Sequence, residues 1–382
     1  MLPLPRSAYI HVPFCLHHCG YCDFTLVANR NELIPQWLEC LQRELRHELN
    51  NYTLPIELDT LFLGGGTPTH LSPLQLESLF QLLSEFFCMA PDAEVSIEAN
   101  PDGLSVEKLL LLQRFGVNRI SLGVQSFQNT ELQVLERTHR AADAIAAVNL
   151  AAKHINRVSI DLIFAVPEQT ADSWENSLLT ALNLPVDHIS TYGLTWEQGT
   201  PFFRREQKGQ LQKSPEELEC RMYLDAIRIL EQQGFQHYEV SNFARLGARC
   251  RHNMVYWHAN EYFAFGPGAS RFVHGQRITN CRSVPRWLNS WSRGFPCFEA
   301  DDPSHPDDRA REAIMLGLRL REGFNLRNFK SRYRVTIEEL AGPALKRSFA
   351  KGLTEISDEN LRLTSRGLLI ADTVIADFLA DD

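Results

Sequence analysis

Short apolar runs alternate with longer amphipathic stretches over the first 240 residues. Strand-length runs at residues 8–13, 60–63, 94–98, 119–122, 157–164 and 188–191 are separated by helical periodicity at about 34–50, 73–87, 106–115, 141–154, 173–182 and 215–233. Such βα repetition predicts an α/β fold around a parallel sheet. Six units are too few to close an eight-stranded barrel, so the expectation is a partial (β/α)6 barrel over residues 1–236. Residues 237–300 break the pattern. They form an aromatic-rich extension containing Tyr238, Phe243, Tyr256, Trp257, Tyr262, Phe263, Phe265, Trp287 and Trp291, which reads as an irregular lid or ligand wall. The stretch 298–308 is rich in Asp and Pro, as linkers are. Residues 301–382 then read as a small, mainly helical C-terminal domain, in which the Thr364-Ser365-Arg366-Gly367 turn suggests a winged-helix hairpin or a cap.

Composition narrows the partners. The net charge is −9 and the basic residues are scattered, without the one-sided basic footprint of a nucleic-acid binder. The acidic end, with Asp377, Asp381 and Asp382, argues against DNA for the winged segment too. No apolar run suits a signal peptide or a membrane helix. The expected location is the cytoplasm, with at most peripheral attachment to a membrane through a partner.

Of nine cysteines, three share one loop: Cys15-Leu16-His17-His18-Cys19-Gly20-Tyr21-Cys22, directly after the first expected strand. In α/β folds that strand edge carries the active site. Three thiolates can hold three irons of a 4Fe-4S cubane and leave the fourth open to a ligand, whereas closed clusters usually take four cysteines. Three cysteines with His11, His17 or His18 could instead hold a structural zinc, the lesser of the two readings. Both readings stay open on spacing alone.

The Cys-x3-Cys-x2-Cys loop and its surroundings resemble the radical SAM superfamily. That resemblance implies a 4Fe-4S cluster on Cys15, Cys19 and Cys22, with S-adenosylmethionine (SAM) chelating the open iron and Tyr21 packing its adenine. Gly64-Gly65-Gly66-Thr67-Pro68 after the second strand is similar to the superfamily's glycine motif. Glu98 ends the third expected strand and Gln125 the fourth, Arg137 lies on the helix that follows, and Asp161 sits on the fifth strand. The order of Tyr9, the cysteine loop, Gly65, Gly66, Thr67, Glu98, Gln125, Arg137 and Asp161 resembles the oxygen-independent coproporphyrinogen III oxidase family over nearly the whole chain. The resemblance implies that Gly65 and Glu98 meet the cluster-bound SAM, with Tyr9 in the same site. It assigns Gly66, Thr67, Gln125, Arg137 and Asp161 to a second SAM.

Two features depart from the oxidase. Phe24 stands where the oxidase has a further cysteine, and Tyr9 falls almost at the start of the chain, without the oxidase's N-terminal arm. Both match the heme chaperone (HemW) branch, as does His252-Asn253-Met254-Val255-Tyr256-Trp257, similar to that branch's His-Asn-x-x-Tyr-Trp motif. This resemblance implies heme bound at His252, with Cys250 as the alternative ligand. It also implies acceptor haemoproteins, membrane respiratory proteins among them, and an electron donor to the cluster. The competing expectations are the oxidase, which converts two propionates of coproporphyrinogen III to vinyl groups, and a radical SAM enzyme with another substrate.

Overall fold

The computed structural model describes residues 4–299 and 305–379. One large sheet organises it. Its strands are β1 (Ser7–Val12), β2 (Ile56–Gly65), β3 (Phe87–Ala99), β4 (Arg119–Gln125), β5 (Arg157–Phe164), β6 (His188–Gly193), β7 (Gln236–Glu239), β8 (Asn242–Ala244) and β9 (Phe263–Phe265). Their order is β9-β1-β2-β3-β4-β5-β6-β8-β7. The strands from β9 to β6 are all parallel, and β8 alone runs antiparallel, between β6 and β7 at the far edge. Helices α1 (Ile34–Glu48), α2 (Pro73–Phe86), α3 (Val106–Arg114), α4 (Ala141–Ala151), α5 (Ala171–Leu182) and α6 (Glu216–Gln232) follow the first six strands in turn.

Strand alternation explains how this sheet can surround a polar space. Ala8, Ile10 and Val12, Leu61 and Leu63, Val95 and Ile97, Ile120 and Leu122, and Val158, Ile160 and Leu162 join the apolar core. The intervening positions carry Ser7, Tyr9 and His11, then Thr60, then Glu94, Ser96 and Glu98, then Arg119 and Ser121, Ser159 and Asp161, and His188 and Ser190. Parallel strands covered on both faces are usually apolar throughout. Here one face is polar because it encloses hydrogen-bonded side chains and a cavity.

The 237–300 stretch, expected as an irregular lid or ligand wall, contains regular strands. It supplies β7 and β8 at one edge of the sheet and β9 at the other, so Tyr238, Phe243, Phe263 and Phe265 are strand residues of the sheet. Strands of three or four residues are too short to stand out in an aromatic sequence. A buried carboxyl fixes the β9 end: Gly266 N–H (2.8 Å) and the Asn280 side-chain amide both donate to Glu44 on α1.

Burial pushes the Glu44 carboxyl up to about 8. Between its ordinary value and about 8, the folded chain therefore holds a proton that the unfolded chain has released, so this group's contribution to stability falls as pH rises through that window. Glu44→Gln is expected to remove that part of the slope and to help most above pH 8. Urea unfolding at pH 6 and pH 9 checks it, and an equal effect at both values would contradict the assignment.

Beyond residue 305, helices Pro306–Gly317, Leu326–Tyr333, Ile337–Ala350, Ser365–Leu368 and Ala371–Leu379 pack with a three-stranded sheet. The hairpin is Thr354–Ser357 with Asn360–Leu363, and Thr364 is a helix cap whose side chain accepts Gly367 N–H. This unit is joined to β7 by a Glu239–Leu320 bridge. The middle of the expected 298–308 linker, and Asp381 and Asp382, lie outside the described residues. Among the described residues no helix is long and apolar enough to cross a membrane.

Candidate functional site

A cavity of about 1050 Å³ opens at the C-terminal ends of the parallel strands and reaches the C-terminal unit. The cysteine loop lies at one side. Cys15 and Cys19 are buried and Cys22 is half-buried. The loop is pinned from several directions: Cys22 N–H donates to Cys19 O (3.1 Å), and the His18 ring is hydrogen-bonded to Cys22 O (3.0 Å).

A continuous set of polar contacts joins this loop to the strand ends. Cys15 Sγ is hydrogen-bonded to Thr67 Oγ1 (3.2 Å), Asn100 Nδ2 donates to Thr67 Oγ1 (2.9 Å), and Arg137 Nη2 donates to Asn100 Oδ1 (2.6 Å) and Gly123 O (2.9 Å). Arg137 Nη1 then returns to Cys19 Sγ (3.6 Å). Burial pushes the Cys19 thiol up while Arg137 draws it back, so the cation favours the thiolate that metal binding needs. The Cys22 thiol is pushed up to about 11 by burial, with Cys19 and Cys15 adding to the effect.

The glycine turn is shaped by its protein neighbours. Gly65 has φ +110°, and a Cβ there would stand 2.5 Å from the His11 ring. Gly65 N–H donates to Glu98 Oε2 (2.9 Å). Glu98 is pushed up to about 8, first by burial and then by the negative field of Asp161. Burial raises Asp161 too, against hydrogen bonds from Ser190 and Ser121. Gln125, at φ +67°, holds a left-handed backbone that is uncommon outside glycine, and its buried Oε1 has no partner among the described residues. Arg137 Nε is likewise unpartnered. Orphaned polar atoms on a cavity wall are places where a polar ligand can bind.

Of the residues expected from sequence, Cys15, Cys19, Tyr21, Cys22, Gly66, Thr67, Glu98, Gln125, Arg137 and Asp161 line this one cavity. Gly65 touches it through Glu98. Tyr9 does not line it: its hydroxyl is hydrogen-bonded to His11 Nδ1 (3.1 Å) and its ring lies on Phe62. His11 Nε2 is bonded to Thr25 O (2.6 Å), which engages both nitrogens of that zinc candidate. Asn100 escaped the sequence reading, although it lies two residues beyond Glu98, where strand alternation points both side chains the same way.

His252 and Cys250, the expected heme ligand and its alternative, lie apart from this cavity. Helix α7 (Arg251–Trp257) sits deeper in the polar face, away from the cavity lining. The His252 ring is 0% exposed, with Nδ1 hydrogen-bonded to Thr60 Oγ1 (2.8 Å) and Nε2 to the Tyr256 hydroxyl (2.7 Å). Burial pushes its pKa down to about 3. Both ring nitrogens are thus engaged by protein groups. Cys250 is sealed as well, its thiol donating to Glu94 Oε1 (3.6 Å) and pushed up to about 12 by burial. Glu94 also accepts the Arg251 and His252 N–H groups (3.0 Å each), capping the first turn of α7 from strand β3.

The radical SAM superfamily model matches residues 9–181, and the HemN C-terminal domain model matches residues 305–370. The heme chaperone HemW of Bacillus subtilis (strain 168) is 36% identical over 379 residues, covering 98% of this chain and all of that protein. The chain belongs to the HemW family of radical SAM proteins. A zebrafish (Danio rerio) relative, the mitochondrial radical S-adenosyl methionine domain-containing protein 1, is 32% identical over 98% of this chain and 87% of its own length. The Escherichia coli coproporphyrinogen III oxidase HemN shares the fold, with a TM-score of 0.85 over 98% of this chain and 90% of that one, at 23% identity. Radical SAM membership implies a 4Fe-4S cluster and SAM as the cofactors of this HemW-family chain.

Among the described residues, no three Cys, His, Asp or Glu side chains converge on a point that one metal ion could occupy. Three thiols on one loop, two buried and one half-buried, suit a cubane, whose ligands bind separate irons.

Proposed function

We propose that this chain carries heme in the strand-end cavity and hands it to acceptor haemoproteins. The observation that carries this reading is the size and two-sided character of the chamber. Its volume of about 1050 Å³ lies at the top of the roughly 300–1,000 Å³ range of small-molecule sites. One side is the cysteine loop with its polar strand ends. The other is aromatic and apolar, with Tyr192, Trp196, Tyr223 and the segment Leu368-Leu369-Ile370 of the C-terminal unit. A flat, largely apolar macrocycle with a polar edge suits that outer half.

In the inner half, Cys15, Cys19 and Cys22 hold the 4Fe-4S cluster. SAM lies against Gly65, Gly66, Thr67, Glu98, Gln125, Arg137 and Asp161, beside Tyr21. When bound, the cluster and SAM supply an electron and a source of the deoxyadenosyl group. Arg137 balances thiolate charge through Cys19, Glu98 and Asp161 accept hydroxyl hydrogen bonds, and Gln125 Oε1 gains the partner it lacks. Tyr9 and His11 support the glycine turn from below. In this reading α7 braces the chamber, and His252 is a structural histidine.

Phe24 replaces a potential thiol at the rim with a side chain that is 61% exposed, which favours docking over the oxidase chemistry. The acceptor is a membrane respiratory haemoprotein reached by a peripheral encounter, and the chain needs an electron donor only if the cluster turns over.

Mixing heme-loaded protein with bacterial membranes depleted of heme tests the transfer. The expected result is recovery of b-type heme absorbance in the membranes, faster than from the same concentration of free heme. Recovery no faster than from free heme would contradict the carrier role.

A further inference from the structure

Trp257 closes the motif whose histidine is sealed, and its position explains what the motif can contribute. The Trp257 ring lies under the Arg319 guanidinium, 4.9 Å from Cζ to the ring centroid. Arg319 belongs to the C-terminal unit and lines the chamber. Its backbone is fixed to the sheet edge, because Val240 N–H donates to Arg319 O (3.0 Å) and Arg321 N–H to Tyr238 O (3.0 Å).

The guanidinium is held in place but poorly supplied with acceptors. Among the described residues its buried Nε–H has no partner. Its ion pair with Asp372 is long, at 3.8 Å, to a carboxylate that is 96% exposed. The neighbouring Glu239 is buried, its carboxyl pushed up by burial and drawn back by the Arg319 charge, and its hydrogen bond from Ser241 N–H is already made. Of the chamber's other cations, Arg137 is bonded to Asn100, Gly123 and Cys19, while Lys213, 53% exposed, has a similarly long 3.7 Å pair with Glu206 and lacks the planar fork of a guanidinium. A planar, pre-oriented guanidinium with spare donors is suited to a carboxylate.

We propose that Arg319, positioned by Trp257, receives a carboxylate of the cargo in this chamber, a porphyrin propionate. The inference rests on the heme reading above. It gives the His-Asn-x-x-Tyr-Trp segment a role without iron ligation: His252 anchors the helix at depth, and Trp257 presents the arginine.

The test is a titration of the cluster-reconstituted chain with heme and with heme dimethyl ester, whose propionates carry no charge. The wild type should bind heme at least about tenfold more tightly than the ester, as expected for a charge-assisted pair. Arg319→Gln should lose about that factor for heme and none for the ester, whose unchanged binding also reports an intact fold. Trp257→Leu should show a smaller loss of the same selectivity, and Trp257→Phe should keep most of it. Equal weakening of both ligands by Arg319→Gln, or no weakening of either, would overturn the inference while leaving the heme reading standing. A wild type that binds neither ligand would instead overturn the heme reading, and this inference with it.

Discussion

Cys19→Ala is expected to yield a folded chain that cannot hold its cluster, with iron falling from about four per chain after anaerobic reconstitution to near zero. Cys19 is a buried member of the loop and the one that Arg137 addresses directly. Removing it takes away a ligand and leaves the guanidinium with less negative charge to balance. Arg137→Met should show the milder form, a cluster that assembles but is lost about 10–100-fold more readily to chelator, as when a group supporting a ligand is removed. Iron and sulfide analysis with visible absorbance gives the answer. Full iron in Cys19→Ala would move the cluster off this loop, and zinc retained by the wild type after reconstitution would revive the single-ion alternative.

His252→Ala is expected to destabilise the chain by about 2–4 kcal/mol without changing the spectrum of bound heme. The substitution leaves the Thr60 and Tyr256 hydroxyls without the ring that bridges them and opens an imidazole-sized void beside Phe62, whose ring centroid lies 5.3 Å away. Gln at this position can restore one of the two hydrogen bonds and should recover part of the loss. Thermal unfolding and heme absorbance on the same samples separate the two roles. Unchanged stability with a lost or altered heme spectrum would make His252 the iron ligand after all.

The six βα units could be read from sequence because each helix presents several turns of periodic apolar residues to the sheet. Strand β9 could not: Phe263–Phe265 is three residues long, and its parallel pairing with β1 joins positions more than 250 residues apart. The cavity residues were partly visible, since Cys15, Glu98, Gln125 and Asp161 sit at or near strand ends and a βα architecture brings such ends together. The polar inner face was visible only in hindsight, as the alternation of Glu94, Ser96 and Glu98 with Val95 and Ile97 within β3. His252 illustrates the opposite limit. Its ligand role was implied by the motif resemblance, while a histidine among aromatics reads by itself as a packed residue, and the contacts around it come from Thr60 on β2 and, through the helix cap, from Glu94 on β3. Neither contact leaves a local trace in the sequence.

The most direct test of the account gives the anaerobically reconstituted chain heme, coproporphyrinogen III, SAM and a reductant together. Bound heme is followed by absorbance and tetrapyrrole products by mass. The account predicts one heme per chain and no vinyl product. Loss of two carbon dioxide molecules from coproporphyrinogen with consumption of SAM, and no heme retained, would contradict it and make the chamber an oxidase active site.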